Sequence, residues 1–403
     1  MKNNFPPQEV VQTKIILNSG KEHSLKRFHP WVFSGAIKNI SDELSEGDVV
    51  EVYSSKNEYL GTGHYQKGTI SVRLFSFSQT EVNDSFWENK ISKAYQYRKT
   101  IGLVNNPKTN AYRLVFGEAD GLPGLIIDFY NGTAVMQAHS IGMHLIRETL
   151  ANALKKVMGE TLKAVYYKSV DTLPKIDSLI VENAYLFGKP ETNEILENGN
   201  KFFIDWENGQ KTGFFLDQRD NRQLLSTYAK GKKILNTFCY SGGFSVYALN
   251  AGASEVHSVD SSQKAIDLTE KNILLNQSDN TNHQSFVADT FQFLNHKENV
   301  YELIILDPPA FAKHRNVTHN AVMGYKRLNA EAMRQIKSGG ILFTFSCSQV
   351  IDSNLFHNTI TSAAIQAGRN VRVLHRLSQP ADHAVNMYHP EGEYLKGLVV
   401  YVE

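Results

Sequence analysis

The alternation of apolar and polar positions changes character twice along the chain. From Thr13 to Phe77 apolar residues come in short runs closed by turn residues. Lys14-Ile15-Ile16-Leu17 leads into Asn18-Ser19-Gly20, and Asp48 to Tyr53 leads into Ser54-Ser55-Lys56-Asn57. Thr69 to Phe77 carries Ile70, Val72, Leu74 and Phe75 in partial alternation. Short strands between polar, glycine-containing turns predict a small β-barrel. From Asp84 the period lengthens: Phe86, Ile91, Ala94, Tyr95 and Ile101 approximate one helical face. Tyr112 to Phe116 and Leu125 to Phe129 then read as strands around a Gly117 to Gly124 loop. Asn131-Gly132 marks a two-residue hairpin turn before Thr133 to Ala138. A helix over about Met143 to Met158 and a strand at Ala164 to Lys168 complete a small α+β unit.

Beyond Asn200 strand and helix alternate. The predicted strands are Lys233 to Phe238, Glu255 to Val259, Ser285 to Ala288, Tyr301 to Leu306, Gly340 to Phe345, Asn370 to Leu377 and Leu395 to Val402. Helices start near Gly243, Ser262, Thr290, Asn320 and Asp352. Strands separated by helices of this length build a mostly parallel, seven-stranded, Rossmann-like sheet covered on both faces. The expectation is a multidomain α/β protein divided at 1–78, 79–189 and 190–403, with a polar linker over Gly188 to Gly199.

Composition narrows this picture. A chain of 403 residues suits two or three domains. Its 42 basic and 41 acidic side chains leave a formal charge of +1, so any contact with nucleic acid has to come from local patches. Two cysteines exclude a disulfide framework and a thiolate zinc cluster, and no metal is expected. The N-terminal MKNNFPPQEV has no apolar core, and no apolar run approaches the ~20 residues that cross a bilayer. A cytoplasmic protein without membrane contact is expected.

Candidate chemistry gathers where the strands of the third region end, the edge at which such sheets bind ligands. The first strand runs into Phe238-Cys239-Tyr240-Ser241-Gly242-Gly243, whose glycines permit a tight turn and close approach of a ligand. The next ends in Asp260-Ser261, eighteen residues after Gly242, where a carboxylate can accept both hydroxyls of a ribose. The third ends in Asp289, suited to an adenine amine. The glycine fingerprint of dinucleotide sites is absent, which favours S-adenosylmethionine over NAD. As single residues, Asp260 and Asp289 also suit helix N-caps. Gln210 to Arg219 packs two aromatics among polar groups, either as a turn entering a helix or as a lid with Phe215 and Asp217 on the cofactor.

Two further strand ends suggest the reaction. Asp307-Pro308-Pro309-Ala310-Phe311 offers a carboxylate and a flat floor for a planar base, and Ser346-Cys347-Ser348 offers a thiol. Carbon 5 of cytosine is a poor nucleophile until a thiolate adds to C6, which is nucleophilic catalysis. It calls for a partly accessible cysteine of lowered pKa. Cys347 fits by position, Asp307 would hydrogen-bond the base edge, and Lys313 would lower the thiol pKa or bind phosphate. A lone cysteine is more often a buried small apolar residue, and Cys239 is read that way. The competing reading takes Asp307 to Phe311 as the loop of an exocyclic-amine methyltransferase, with Phe311 stacking on the ring and no thiol needed. A third reading is an RNA-binding or assembly factor without turnover.

Taken together, the motifs resemble the bacterial 23S rRNA cytosine-5 methyltransferases of the three-domain type. These carry an N-terminal PUA domain, a central α+β domain and a C-terminal class I methyltransferase. The resemblance runs through Leu25 to Gly35, Tyr112 to Gly124, Lys211 to Asp220, Leu235 to Ser245, Asp307 to Phe311, Thr344 to Ser348 and Ala381 to Gly397. It implies S-adenosylmethionine as cofactor, Cys347 as nucleophile and Asp307 as base contact. It implies a 23S rRNA substrate, with oligomeric state open, a homodimer included. Pro309 and Ala310 stand where many RNA cytosine-5 enzymes carry a second cysteine, so one thiol must both attack and leave. Asn236 stands where many methyltransferases have an acid, which argues against a cofactor contact there. Lys26, Arg27 and His29 beside Pro30-Trp31-Val32-Phe33 suggest an RNA surface, with the cations on RNA and the aromatics inside.

Overall fold

The computed structural model describes residues 13–40, 43–175, 179–277, 282–295, 300–312 and 317–403. They fall into two compact units. One takes the described residues up to Thr100, Arg113–Glu191 and the return segment Val385–Gly392; the other takes Ile101–Tyr112, Thr192–Ala384 and Glu393–Glu403.

The first unit opens with a six-stranded mixed sheet. Its order is Trp31–Phe33, Ile70–Ser76, Tyr59–Tyr65, Val49–Tyr53, Thr13–Leu17, Ile37–Ile40, with one parallel pair, Thr13–Leu17 against Val49–Tyr53. Ile15, Leu17, Leu25, Val32, Val50, Val52, Val72 and Leu74 form its core. The alternation of Trp31-Val32-Phe33 is opposite in phase to the expectation. Val32 is buried, whereas Phe33 is 43% exposed and Trp31 half-buried. A strand of three residues can bury one face only, and the smaller central side chain takes it. A five-stranded sheet follows, in the order Ala184–Gly188, Ala164–Tyr167, Thr133–Ala138, Leu125–Tyr130, Ala111–Phe116. The helices Asp84–Thr100 and Arg147–Met158 accompany it.

In the second unit we number strands β1 (Lys233–Thr237), β2 (Glu255–Asp260), β3 (His283–Val287), β4 (Tyr301–Leu306), β5 (Ile336–Ser346), β6 (Val371–Leu377) and β7 (Lys396–Val402). Its helices are α1 (Arg219–Ala229), α2 (Gly243–Asn250), α3 (Gln263–Asn276), α4 (Thr290–Leu294), α5 (Thr318–Gln335) and α6 (Ser353–Ala367). The sheet order is β3-β2-β1-β4-β5-β7-β6, parallel except for β7, which runs antiparallel to both neighbours. Leu303, Ile304, Ile305 and Leu306 on β4, and Leu342 and Phe343 on β5, are fully buried. Helices cover both faces, which is why these strands read as unbroken apolar runs rather than alternating ones. The expected linker contains structure instead: Glu194–Glu197 pairs with Asn200–Phe203 in a hairpin. Asn198 (φ +50°) and Gly199 (φ +83°) form its turn, a dipeptide whose left-handed preference outweighs the polar composition.

Register sets the site. Thr237 pairs with Leu306, Leu306 with Thr344, and Thr237 with Val259. The carboxyl ends of β2, β1, β4 and β5 therefore stand side by side, and the strand order reverses between β1 and β4. Open α/β sheets hold their ligands at such a reversal.

Candidate active site

A cavity of about 300 Å³ opens at this edge. Its wall includes Phe215 and Asp217, the β1 turn residues Phe238, Cys239, Tyr240 and Ser241, then Asp260, Ser261, Asp307, Pro308, Pro309 and Cys347. The turn after β1 holds two bulky residues in the left-handed region, Phe238 (φ +54°) and Tyr240 (φ +46°), before Gly242 (φ +73°). Non-glycine residues adopt that region at a cost and concentrate at ligand sites. Gly242 itself faces Thr269, where a Cβ would stand 2.7 Å from Cγ2. Its role is the turn, and it is not on the cavity wall.

Asp260 braces the turn: Oδ2 accepts from the Tyr240 amide at 3.1 Å and Oδ1 from the Ser262 amide at 2.9 Å. Each oxygen keeps a second lone pair for a ligand hydroxyl. Asp289 is exposed and caps α4, accepting from the Gln292 amide at 3.0 Å, and is absent from the cavity wall. The segment Gln210 to Gln218 brings Phe215 and Asp217 to the cavity wall. It enters α1 through a turn, and it lays Phe215 on the cavity, edge-on to Tyr240 at 5.2 Å. Tyr240 ties this segment down, accepting from the Gln210 amide at 3.0 Å and donating to the Gly213 carbonyl at 3.2 Å.

Two buried acceptors facing this space, Asp217 Oδ1 and Asn236 Oδ1, have no protein partner. Asp217 Oδ2 accepts from Tyr394 at 2.6 Å, and Asn236 donates to Ser245 at 2.9 Å. A buried acceptor without a donor costs stability until a ligand supplies one. The cavity thus calls for N–H donors and positive charge, which the ammonium and sulfonium of S-adenosylmethionine carry. Asn236, discounted as a contact from the sequence, lies on the wall.

The electrostatics say the same. Burial, reinforced by the neighbouring Asp217 charge, pushes the Asp307 carboxyl up to about 7, while Gln218 and Arg222 pull it down. Cys347 is half-buried at the end of β5. Its thiol is pushed up to about 11 by burial, then by Asp307 and Asp217. The sequence-based expectation of a lowered pKa is therefore corrected: two carboxylates in the same cavity oppose a third negative charge. The cation that pulls the thiol down is Lys396, which donates to the carbonyls of Ser348 and Tyr394, both at 2.7 Å. Lys313 lies outside the described residues. Cys239 is buried at 3.5 Å from Thr269 Oγ1, its thiol pushed up to about 12.

Phe311 is not on the cavity wall. Its ring packs on Tyr325 of α5 with centroids 4.6 Å apart. Lys26 and Arg27 belong to the first unit; Lys26 is paired with Glu58 at 2.6 Å, and Arg27 donates to the His23 carbonyl. Among the described residues His29, His389 and Glu391 form the one group with metal-ligand spacing. The Trp31 amide donates to His29 Nδ1 at 3.2 Å, so in neutral His29 the Nε2 carries the proton and points it at Glu391, 3.4 Å away. That tautomer offers no lone pair to a metal.

Sequence reasoning missed Tyr394, Lys396, Arg222 and Glu197. The first two lie inside the recognised Ala381 to Gly397 motif but had no assigned role. Arg222 and Glu197 form a buried bidentate pair, both bonds 2.8 Å, and Arg222 also donates to the Phe215 carbonyl at 3.0 Å. No local spacing announces a partner twenty-five residues away.

The sheet order, the strained turn after β1 and a cavity that demands cationic donors define a Rossmann-like transferase for a nucleoside-bearing cofactor. Residues 176–387 match the S-adenosylmethionine-dependent methyltransferase family and residues 15–77 a PUA-like domain. Two solved structures superpose with a TM-score of 0.82, each covering 96% of this chain and 99% of its own. The first, 25% identical, is described as a SAM-dependent methyltransferase of Streptococcus mutans; the second, 26% identical, is a methyltransferase complexed with SAH. Proteins named ribosomal RNA large subunit methyltransferase I from Aeromonas hydrophila and Pseudoalteromonas atlantica are 39% and 40% identical, over 97% and 96% of this chain and 99% of each relative. The chain belongs to this family of S-adenosylmethionine-dependent methyltransferases.

Proposed function

We propose that the protein methylates carbon 5 of a cytosine in the 23S RNA of the large ribosomal subunit, through an adduct of Cys347 with C6. The observation that carries this reading is that Cys347, half-buried, shares one cavity wall with Asp307 and the Pro308-Pro309 floor. Bound S-adenosylmethionine supplies the electrophilic methyl group. Asp217 and Asn236 would hold its amino acid end, Asp260 and Ser261 its ribose, and Phe215, Phe238, Tyr240 and Ser241 the rest of its outline. Asp289 stays outside that set.

The chain's own groups do the remaining work. Asp307, with a pKa near 7, is half-protonated at neutral pH; as the acid it can give its proton to cytosine N3, and as the carboxylate it can then take the proton of the Cys347 thiol while the sulfur forms a bond to C6. The C5=C6 electrons shift to make C5 nucleophilic. After C5 is methylated, loss of the C5 proton to solvent water restores the double bond as the C6–S bond breaks and the Cys347 thiolate leaves. A base within a folded RNA must be swung out of its stack to reach the cavity. The same reading divides the chain into an RNA-binding β-domain (1–78), a central domain (79–189) and a methyltransferase domain (190–403), acting in the cytoplasm.

Against the amine-methylation alternative, Phe311 lies off the cavity wall, with its ring packed on Tyr325. The deciding test is nucleoside mass spectrometry of 23S rRNA from a strain lacking the gene, treated with native protein or Cys347→Ala. 5-Methylcytidine with native protein alone is expected. An N-methylated base formed by both proteins would sink the thiol mechanism.

A further inference from the structure

The first unit holds a second cavity, about 320 Å³, that the methylation chemistry does not use. Its rim is aromatic. Phe28 lies 5.4 Å from Phe77, edge-on, and 5.3 Å from Tyr388 of the return segment. The floor is charged. Lys90 donates one N–H to the Phe75 carbonyl and has two more to offer. Gly121 leaves that ammonium its room, since a Cβ there would stand 2.9 Å from Nζ. Glu118 accepts from the Trp31 indole at 2.9 Å through one oxygen, and its other oxygen remains available.

A second observation concerns the backbone. Phe28 has φ +63° at the end of the Leu25–Arg27 turn, its amide donating to the Leu25 carbonyl at 2.8 Å. A bulky side chain is a true outlier there, and glycine would meet the turn's demands without strain. Yet Phe28 is 49% exposed and Tyr388 is 54% exposed. Strained residues of this kind mark ligand clamps more often than cores. The fold keeps an aromatic residue where its backbone favours none, and leaves that residue exposed.

We propose that this cavity takes one unpaired nucleotide of RNA, its base stacked on Phe28 and Tyr388, an exocyclic amine on Glu118 and an oxygen on Lys90. The inference rests on the reading of the substrate as RNA. Aromatic faces with a cation and an acceptor at the base of the slot are what single-stranded recognition uses. With Lys26 already paired to Glu58, stacking rather than surface charge supplies the grip.

The test uses the full-length protein and a single-stranded RNA 12-mer carrying 2-aminopurine, followed by anisotropy and by quenching of the stacked base. Phe28→Gly and Tyr388→Ala should each weaken binding about tenfold and relieve the quenching. Phe28→Gly should do so with an unchanged or higher Tm, because glycine suits the turn, and with an unchanged Kd for S-adenosylhomocysteine. Lys90→Gln should weaken binding less. Wild-type protein that leaves 2-aminopurine unquenched, or a Phe28→Gly protein that binds like wild type, overturns the proposal. The proposal about the reaction is read separately, by 5-methylcytidine formed on 23S rRNA with the wild-type protein.

Discussion

Asp307 faces two opposed demands. As a carboxylate it would oppose the Cys347 thiolate; as a carboxylic acid it would donate to a base. A pKa near 7 puts both forms within reach. The consequence for stability follows from linkage. The unfolded chain releases this proton near 3.8, whereas the fold retains it to about 7, so stability is lost progressively as pH rises between those values and stays lost above. Asp307→Asn should therefore raise the Tm of the free protein at pH 8 while abolishing methylation, checked by thermal melts at pH 5 and pH 8. An unchanged melting profile would mean that Asp307 is an ordinary solvated acid. Charge also separates the cofactor from its product. The sulfonium charge entering beside Asp307 favours its ionised form, and S-adenosylhomocysteine, which lacks that charge, does not. S-adenosylmethionine should gain affinity over S-adenosylhomocysteine by about tenfold from pH 6 to pH 8, the equivalent of one pKa unit. Calorimetry in buffers of different ionisation enthalpy should find proton release with the sulfonium alone.

At the scale of elements, the hairpin after the first unit reaches the site through one buried pair. Glu197 accepts from Arg222 of α1 and from Tyr247 of α2, the latter at 3.0 Å. Glu197→Ala would leave the Arg222 guanidinium unpaired in the interior. It should cost about 3–5 kcal/mol and loosen Phe215, whose carbonyl Arg222 also holds. Denaturant unfolding and S-adenosylhomocysteine affinity should fall together. The cap of α6 makes a control. Asp352 accepts from the Leu355 amide at 2.8 Å, and Asp352→Ala should cost about 1 kcal/mol without changing affinity.

This is also the scale at which sequence and structure part. The β4 and β5 runs were legible because burial on both faces leaves no polar position to confuse the period. Their tips followed, and with them Asp307 and Cys347. Trp31 and Phe33 were misread because three residues give alternation no phase. Glu197, Arg222, Tyr394 and Lys396 were illegible for another reason: their functions exist only in contacts made across the fold. The Cys347 pKa belongs to the same class, since its sign depends on carboxylates brought in from two other segments.

At the scale of the molecule, the two units share one thread. Val385–Gly392 packs in the first unit although both of its flanks belong to the second. Unfolding the second unit therefore pulls on a piece of the first, and the full chain should melt as one transition. S-adenosylhomocysteine at a hundred times its Kd should add about 2.7 kcal/mol and move that whole transition upward in a calorimeter. A shift confined to part of the heat would show that the units melt separately.

The same thread has a meaning for synthesis. A growing chain emerges in order, and domains generally fold as they appear. Here neither unit can finish early. Asn386 and Tyr388 line the aromatic cavity of the first, while Tyr394 holds Asp217, Leu395 lines the methyl site and Lys396 pins the loop beyond Cys347. One short late-made stretch completes both. A ribosome that stalls ahead of it releases a polypeptide with neither cavity finished, so partial products of translation would not compete with the whole enzyme for either RNA or cofactor.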